Sequence, residues 1–297
     1  MRLALATVVL LMLAGCGSSG SASSAPKAYY LALGDSIAYG QQPTKPPGTP
    51  ASAFPGYVNV FAARLKRLSP ELKVVNYGCS GESTATFVAG GCPAFDAGFK
   101  LHDEFHGTQL TAAESFLRAH DGEVSPITLT LWGNDWLRFL FDECDGDLSC
   151  VNAQGPRLIA SIGARLKSIL KRLRTAAPDA TIIVTGAWNP DPQQLRELAP
   201  VYRSLNASIE RAASASGARV ANARLVFNPP GTVERQQARL CKLTFICTQG
   251  DVHPTDAGYR ALASAFMTAF DHAPKLEGPA PMPTGKEQRC PQGRCLS

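Results

Sequence analysis

The sequence predicts an α/β fold built around a mainly parallel sheet. Between residues 29 and 270, short apolar runs alternate with longer amphipathic segments. Strands that alternate with helices in this way are typical of βαβ units, which form parallel sheets. The chain has 297 residues, of which 45% are hydrophobic and 18% charged, so it has enough apolar side chains for a sizeable core. We find no internal repeat, which favours a single main domain.

Five strands and five helices are predicted in order along the chain. The strands occupy residues 29–33, 73–76, 127–131, 180–185 and 219–221, and the helices occupy residues 57–68, 110–120, 157–177, 199–216 and 257–270. The clearest helix is 157–177, because Leu158, Ile162 and Leu166 begin one apolar stripe at helical spacing. Residues 41–55, 84–105 and 137–154 are predicted to be long loops, which are often functional in compact domains.

The N-terminus predicts export. Arg2 precedes an apolar stretch over residues 3–13, which is shorter than the roughly 20 residues that a membrane-spanning helix needs. We therefore interpret residues 1–15 as a secretory signal peptide. The Leu-Ala-Gly-Cys sequence at residues 13–16 resembles a bacterial lipobox, which implies a lipid on Cys16. Residues 16–27 are then a Ser- and Gly-rich flexible tether. The alternative is an ordinary signal peptide with an incidental cysteine.

The cysteines agree with export. Nine are present, and without Cys16 the rest fall into pairs that are close in sequence. The simplest hypothesis is four disulfides: Cys79–Cys92, Cys144–Cys150, Cys241–Cys247 and Cys290–Cys295. Sequence alone does not establish this connectivity. A zinc site is the alternative, but an exported chain favours disulfides and no CxxC spacing occurs.

Four polar segments provide candidate catalytic groups. Ser36 directly follows a strand that ends at Gly34, so its hydroxyl group is expected at the carboxyl edge of the sheet. Gly81 and Asn134 follow two further strands and can supply hydrogen-bond donors to a developing oxyanion. His253, which precedes the final helix and has a carboxylate nearby, is a candidate general base. Each segment alone is also compatible with an ordinary turn or helix cap.

Together these segments resemble the GDSL/SGNH hydrolase superfamily. The matching phrases are LALGDSIAYG at residues 31–40, NYGCSGEST at 76–84 and DVHPTDAGY at 251–259. Ser36, Gly81, Asn134 and His253 stand in the order of the four invariant blocks of that superfamily. The resemblance implies a three-layer α/β/α sandwich of the SGNH, flavodoxin-like type over residues 28–273. Residues 274–297 are then a Pro- and Gly-rich C-terminal tail.

The resemblance also implies residue roles. Ser36 is the expected nucleophile and His253 its general base. The backbone N–H groups of Ser36 and Gly81 and the side-chain amide of Asn134 are expected to form the oxyanion hole. No metal or organic cofactor is implied.

The last block departs from the family pattern, which usually reads Asp-x-x-His. Here Gly250 stands three residues before His253, and Asp251 only two before it. Either the side chain of Asp251 orients the histidine as the third triad member, or a main-chain carbonyl at residue 251 does so. We predict the side chain. Asp35 is expected to order the turn around Ser36 instead.

The predicted function is an exported serine ester hydrolase, a carboxylesterase or lipase. A carbohydrate O-acetyl esterase or an acyltransferase would use the same site, and a non-catalytic glycan- or lipid-binding lipoprotein is the alternative from another class. Trp132 and Trp136 flank Asn134, and either one lines the acyl site or both pack in the core. Trp188 follows the fourth strand and can border the same cleft.

Partners follow from charge and the N-terminus. The net charge of +5 is spread along the chain and no nucleic-acid-binding motif accompanies it, so we expect no nucleic-acid partner. We expect a small-molecule or lipid ester as substrate, a monomer, and contact with the membrane through the lipid on Cys16. The expected location is the outer face of the bacterial cell membrane.

Overall fold

A five-stranded parallel sheet forms the centre of the molecule. The computed structural model describes residues 25–272. The strands are β1 (Tyr29–Gly34), β2 (Lys73–Asn76), β3 (Val124–Thr130), β4 (Ile182–Thr185) and β5 (Arg219–Ala221). They lie in the order β2-β1-β3-β4-β5, and every neighbouring pair is parallel. The predicted α/β class with a parallel sheet is confirmed.

The middle of the sheet is fully enclosed. β3 lies between β1 and β4, with Leu31 opposite Ile127 and Leu129 opposite Val184. Every residue of β3 is buried. Strands β1 and β4 are mostly apolar, as expected for a parallel sheet covered on both faces, whereas β3 also buries Ser125, Thr128 and Thr130. The buried strands β1, β3 and β4 therefore form a rigid support for the groups that follow their carboxyl ends.

Helices cover both faces of this sheet. They are α1 (Ser36–Tyr39), α2 (Gly56–Leu65), α3 (Thr86–Ala89), α4 (Pro93–Asp96), α5 (Gln109–Ala119), α6 (Gly133–Arg138), α7 (Leu148–Ala176), α8 (Ala199–Ser214), α9 (Ala223–Phe227), α10 (Val233–Leu243), α11 (Ile246–Gln249) and α12 (Asp256–Asp271). On one side α2 packs against α12, where Tyr57 stacks on Phe266 with 4.3 Å between ring centroids. On the other side α7 contacts α5 and α8.

The longest helix begins nine residues before its predicted start. Asp147 caps α7, because its side chain accepts hydrogen bonds from the backbone N–H groups of Ser149 and Cys150. The helix then continues through Pro156. The prediction of a loop over residues 137–154 is therefore wrong. A π-helical turn at Phe139–Glu143 and the first turns of α7 occupy most of it.

Several helices have no counterpart in the predictions. α10 is the longest of them, and only Leu240 and Leu243 are buried along it. Two buried positions make too weak an apolar stripe for recognition from periodicity. The shorter helices cover about one turn each, so they cannot show a repeating pattern at all.

Several predicted features lie outside the described residues. These are the signal peptide at 1–15, the lipidated Cys16, the Cys290–Cys295 disulfide and the tail at 274–297. The domain limits of 28 and 273 stay a prediction. Within residues 25–272, no helix is both long and apolar enough to cross a membrane.

Candidate active site

Ser36 stands at the carboxyl end of β1. The strand ends at Gly34, whose φ of +124° is a conformation that side chains rarely adopt. A Cβ atom there would lie 2.1 Å from the backbone oxygen of Thr130, so only glycine allows β1 and β3 to approach this closely. The chain then turns directly into α1, with Ser36 as its first residue. Its N–H group is therefore one of the donors that a helix start leaves free.

Asp35 holds this turn. Its Oδ1 accepts hydrogen bonds from the Ile37 N–H at 3.0 Å and from Thr130 Oγ1 at 2.9 Å. Burial raises the pKa of the Asp35 carboxyl to about 6, while these hydrogen bonds and the nearby His253 oppose the rise. The carboxyl group is directed to the turn and to β3, as expected from the sequence.

Gly81 lies in the loop that follows β2. Its φ is +85°, and a Cβ atom there would lie 2.9 Å from Cβ of Pro93. Both observations favour glycine at this position. The disulfide between Cys79 and Cys92 holds the same loop. No described residue accepts a hydrogen bond from the Gly81 N–H, so this donor is free.

Asn134 lies in α6, the helix after β3. Its Nδ2 donates a hydrogen bond of 2.8 Å to the backbone oxygen of Glu82, next to Gly81. Asp135 ties the same two segments together, because it accepts hydrogen bonds from Thr84 N at 2.7 Å and Thr84 Oγ1 at 2.6 Å. An amide nitrogen carries two hydrogens, so Asn134 retains a second donor. The loop after β2 and the start of α6 therefore form one hydrogen-bonded unit.

His253 and Asp251 are directly paired. Asp251 Oδ1 lies 2.7 Å from His253 Nδ1 and also accepts a 2.8 Å hydrogen bond from the His253 backbone N–H. Burial alone would raise the pKa of Asp251, but these hydrogen bonds and the histidine charge bring it below its usual value. Nδ1 is thereby occupied, and no described residue bonds Nε2. An imidazole held in this way can accept a proton at Nε2.

The structure brings these groups to one edge of the sheet. A cavity of about 40 Å³ opens beside Ser36, and Asn134 and Val252, the residue before His253, also line it. Within residues 25–272, Ser36 Oγ makes no hydrogen bond to His253. Such bonds are often long in enzymes without substrate and shorten in the reactive complex.

Two tryptophans form the apolar wall of this cavity. Trp132 and Trp188 pack edge to face, with 5.3 Å between ring centroids, and both line the cavity. Trp136 is fully buried and packs against Phe139 and Tyr202 instead. Of the two tryptophans that flank Asn134, the structure therefore places Trp132 at the cavity and Trp136 in the core.

Comparison with protein families agrees with this geometry. The model of the GDSL-like lipase/acylhydrolase family matches residues 32–261, which is more than half of the chain. The chain belongs to the GDSL-like lipase/acylhydrolase family. It is therefore a hydrolase of ester bonds. The matched range contains all four segments that carry the resemblance seen in the sequence.

Solved structures share the fold of this GDSL-like hydrolase at low sequence identity. A lipase from a goat rumen metagenome has a TM-score of 0.56 and 19% identity, with 81% of this chain and 96% of that one covered. An acetylxylan esterase from Geobacillus stearothermophilus has a TM-score of 0.52 and 16% identity, with 84% and 97% covered. A search of curated proteins finds no match.

Two buried polar residues near the site of this GDSL-like hydrolase were not predicted from the sequence. The Gln109 side chain accepts from the Gly34 N–H at 2.6 Å and donates to the Gly34 oxygen at 3.0 Å. The same Gln109 Nε2 lies 3.1 Å from Glu82 Oε2. Burial raises the pKa of Glu82 to about 7. The pair connects the end of β1 to the Gly81 loop. Only the position of Glu82 directly after Gly81 could have indicated its importance, because Gln109 is distant in sequence.

Three of the predicted disulfide pairs are joined in the structure: Cys79–Cys92, Cys144–Cys150 and Cys241–Cys247. The last pair connects α10 to α11, just before the segment that carries His253. That segment is also held by the Phe245 N–H, which donates to the His253 oxygen at 3.0 Å. Disulfides thus stabilise two of the loops that form the site.

No cluster of three or more metal-ligating side chains occurs within residues 25–272.

Proposed function

We propose that the chain is an exported serine carboxylesterase that works through an acyl-enzyme on Ser36. The observation that carries the proposal is the 2.7 Å contact between Asp251 Oδ1 and His253 Nδ1, which leaves Nε2 open. Val252, the residue before this histidine, lines the cavity beside Ser36, the first residue of α1. Membership of an ester-hydrolase family supports the same reaction class.

In the first half of the proposed cycle, Ser36 Oγ attacks the ester carbonyl carbon and His253 Nε2 takes the hydroxyl proton. The carbonyl oxygen then carries a negative charge. The N–H groups of Ser36 and Gly81 and the amide of Asn134 are the proposed donors to it. Loss of one such donor typically costs about 3 to 4 kcal/mol of transition-state stabilisation. The tetrahedral intermediate collapses, and His253 returns the proton to the departing alcohol.

In the second half, water attacks the acyl group on Ser36 and His253 accepts the water proton. The intermediate releases the carboxylic acid, and the proton returns to Ser36 Oγ. Asp251 stabilises the imidazolium that forms in both halves, because its carboxylate is already bonded to Nδ1. Every step uses side chains and backbone groups of this chain together with water.

Export is a second part of the proposal. The apolar segment at residues 3–13 and the lipobox-like sequence at 13–16 support secretion and attachment of a lipid at Cys16. The three disulfides within residues 25–272 agree with an oxidising compartment. We therefore propose a lipoprotein on the outer face of the cell membrane, acting as a monomer on small-molecule or lipid esters.

The test is hydrolysis of p-nitrophenyl esters by the purified chain, with Ser36→Ala as the matched variant. We expect measurable release of p-nitrophenol by the unchanged protein and loss of nearly all of it in Ser36→Ala. Mass spectrometry after treatment with a serine-reactive phosphonate should find the adduct on the peptide that contains Ser36. Hydrolysis that survives in Ser36→Ala would reject Ser36 as the nucleophile.

A further inference from the structure

We propose that this enzyme prefers esters of short acyl groups, with about two to four carbon atoms, because Trp132 and Trp188 close the acyl side of the site. The inference rests on the proposed function, since it assumes that Ser36 becomes acylated. It adds a substrate class, which neither the family nor the low-identity structural relatives determine. Three properties of the cavity carry it: its position, its size and the rigidity of its wall.

The cavity borders the proposed nucleophile and one oxyanion donor. Its lining includes Ser36, Asn134 and Trp188, and on the side of the base it includes Val252 but not His253. A leaving alcohol must stay beside His253 in order to receive its proton. We therefore assign this space, which the His253 ring does not line and which borders the proposed oxyanion donor Asn134, to the acyl substituent of the ester.

The cavity is small. Its volume is about 40 Å³, and a cavity needs roughly 10 to 15 Å³ to hold one water molecule. About one to three groups the size of a methyl or methylene therefore fit beyond the carbonyl carbon. The residues at its inner end, Thr130 and Thr185, are buried at the ends of β3 and β4, so the sheet itself closes the space.

The two tryptophans that form the cavity wall are tightly packed and cannot move easily. Trp132 and Trp188 are only 5% and 6% exposed and support each other edge to face. Behind them, Phe227 stacks on Trp188 with 4.8 Å between ring centroids. Close-packed interiors transmit a displacement to their neighbours instead of absorbing it. An octanoyl chain would therefore have to displace a buried tryptophan or extend into solvent.

The experiment compares kcat/KM for p-nitrophenyl acetate, butyrate and octanoate. For the unchanged full chain we expect the octanoate value to be at least about tenfold below the better of the two short esters, the size of effect that a few excess methylenes produce. Trp188→Ala enlarges the cavity without changing a proposed catalytic group. We expect it to raise the ratio of octanoate to acetate by about tenfold or more.

Trp136→Phe is the matched control, because Trp136 is another buried tryptophan but does not line the cavity. Its ester ratio should equal that of the unchanged protein. Trp188→Leu is a milder substitution in case the alanine variant does not fold. Ser36-dependent hydrolysis that is equally fast on all three esters would overturn this inference and leave the proposed function intact. Absence of any Ser36-dependent hydrolysis would overturn both.

Discussion

Asp251 reaches His253 although only one residue separates them along the chain. The short spacing is accommodated by a turn in which Asp251 Oδ1 contacts both the backbone N–H and Nδ1 of His253. Gly250, with a φ of +65°, directs the chain into this turn. Asp and Asn side chains commonly bond the backbone two residues ahead. The geometry therefore favours the side chain over the main-chain carbonyl as the group that orients the histidine.

Replacing Asp251 by alanine should lower turnover by at least about a hundredfold, since removal of the orienting carboxylate in a serine triad can cost up to about 10⁴. The rate of p-nitrophenyl acetate hydrolysis measures the effect. Asp256→Asn is the control, because Asp256 lies nearby but only accepts a hydrogen bond from Gln42, which asparagine can also do. Near-normal turnover in Asp251→Ala would point to the main-chain carbonyl instead.

Glu82 makes stability depend on pH. Burial raises the pKa of its carboxyl from 4.5 to about 7, and the charge of Asp35 adds to the rise. The folded state thus binds the proton more tightly than the unfolded state, so this group costs stability as pH rises from about 4.5 to 7. Each pKa unit corresponds to about 1.4 kcal/mol, which makes the total about 3 kcal/mol.

Glu82→Gln removes this titration. The free energy of unfolding of the variant, relative to the unchanged protein, should therefore increase by about 3 kcal/mol between pH 4.5 and pH 8. Urea unfolding at both pH values measures it. A difference between the two proteins that stays constant over this range would show that Glu82 does not titrate there.

At the scale of elements, the strands are held by core packing, whereas the loops that carry Gly81 and His253 are also held by disulfides. The Gly81 loop follows β2 and contains only short helices, yet Cys79–Cys92 closes it and Thr84 and Asn134 tie it to α6. The segment before His253 is held by Cys241–Cys247 and by pairing between Thr244 and Pro254. The positions of the proposed catalytic groups thus depend on disulfides and local hydrogen bonds as well as on the core.

Removal of the Cys79–Cys92 disulfide should loosen the proposed oxyanion hole. The double variant Cys79→Ala/Cys92→Ala is expected to lose about 3 kcal/mol of stability, the chain-entropy value for a loop of this size. Turnover should fall by about tenfold to a hundredfold, because a small displacement of an aligned group is costly. Both quantities can be measured on the same preparation.

Cys144→Ala/Cys150→Ala provides the matched comparison. This disulfide joins the end of the π-helical turn to the start of α7 and holds no proposed catalytic group. We expect a smaller loss of stability and turnover close to that of the unchanged protein. Equal losses of turnover in the two double variants would mean that the effect is not specific to the Gly81 loop, and unchanged turnover in Cys79→Ala/Cys92→Ala would mean that this loop keeps its shape without its disulfide.

At the scale of the whole molecule, the topology explains how distant segments form one site. The carboxyl ends of β1, β3 and β4 lie side by side, and the chain leaves them at Ser36, Asn134 and Trp188. Helix α12 packs on β4 and β5 and begins just after His253. The strand order thus brings Ser36, Asn134 and Trp188 to one cavity, which Val252, the residue before the proposed base His253, also lines.

The proposed lipid on Cys16 is also a property of the whole molecule. Expressed in a bacterial host that processes lipoproteins, the full chain should enter the detergent phase of a temperature-induced detergent separation. Cys16→Ala should move to the aqueous phase, because the substitution removes the thiol to which the lipid would be attached. Complete recovery of the unchanged protein in the aqueous phase would reject the anchor.

The sequence by itself determined the fold class, the strands and the family. Strands and long helices repeat a pattern of apolar residues at fixed spacing, so β2 and β5 were predicted with their observed limits. Family membership followed from short segments around Ser36, Gly81, Asn134 and His253, whose residue types reflect their chemistry.

Only the tertiary structure decided which side chains meet. The Gln109 side chain accepts a hydrogen bond from the Gly34 N–H across 75 positions of sequence, and no local sequence pattern predicts such a contact. The roles of the tryptophans are similar: Trp132 and Trp136 look equivalent in the sequence, but one lines the cavity and the other packs against α8. Propensity and periodicity are local properties, whereas the direction of a side chain at a strand end depends on what the other strands bring beside it.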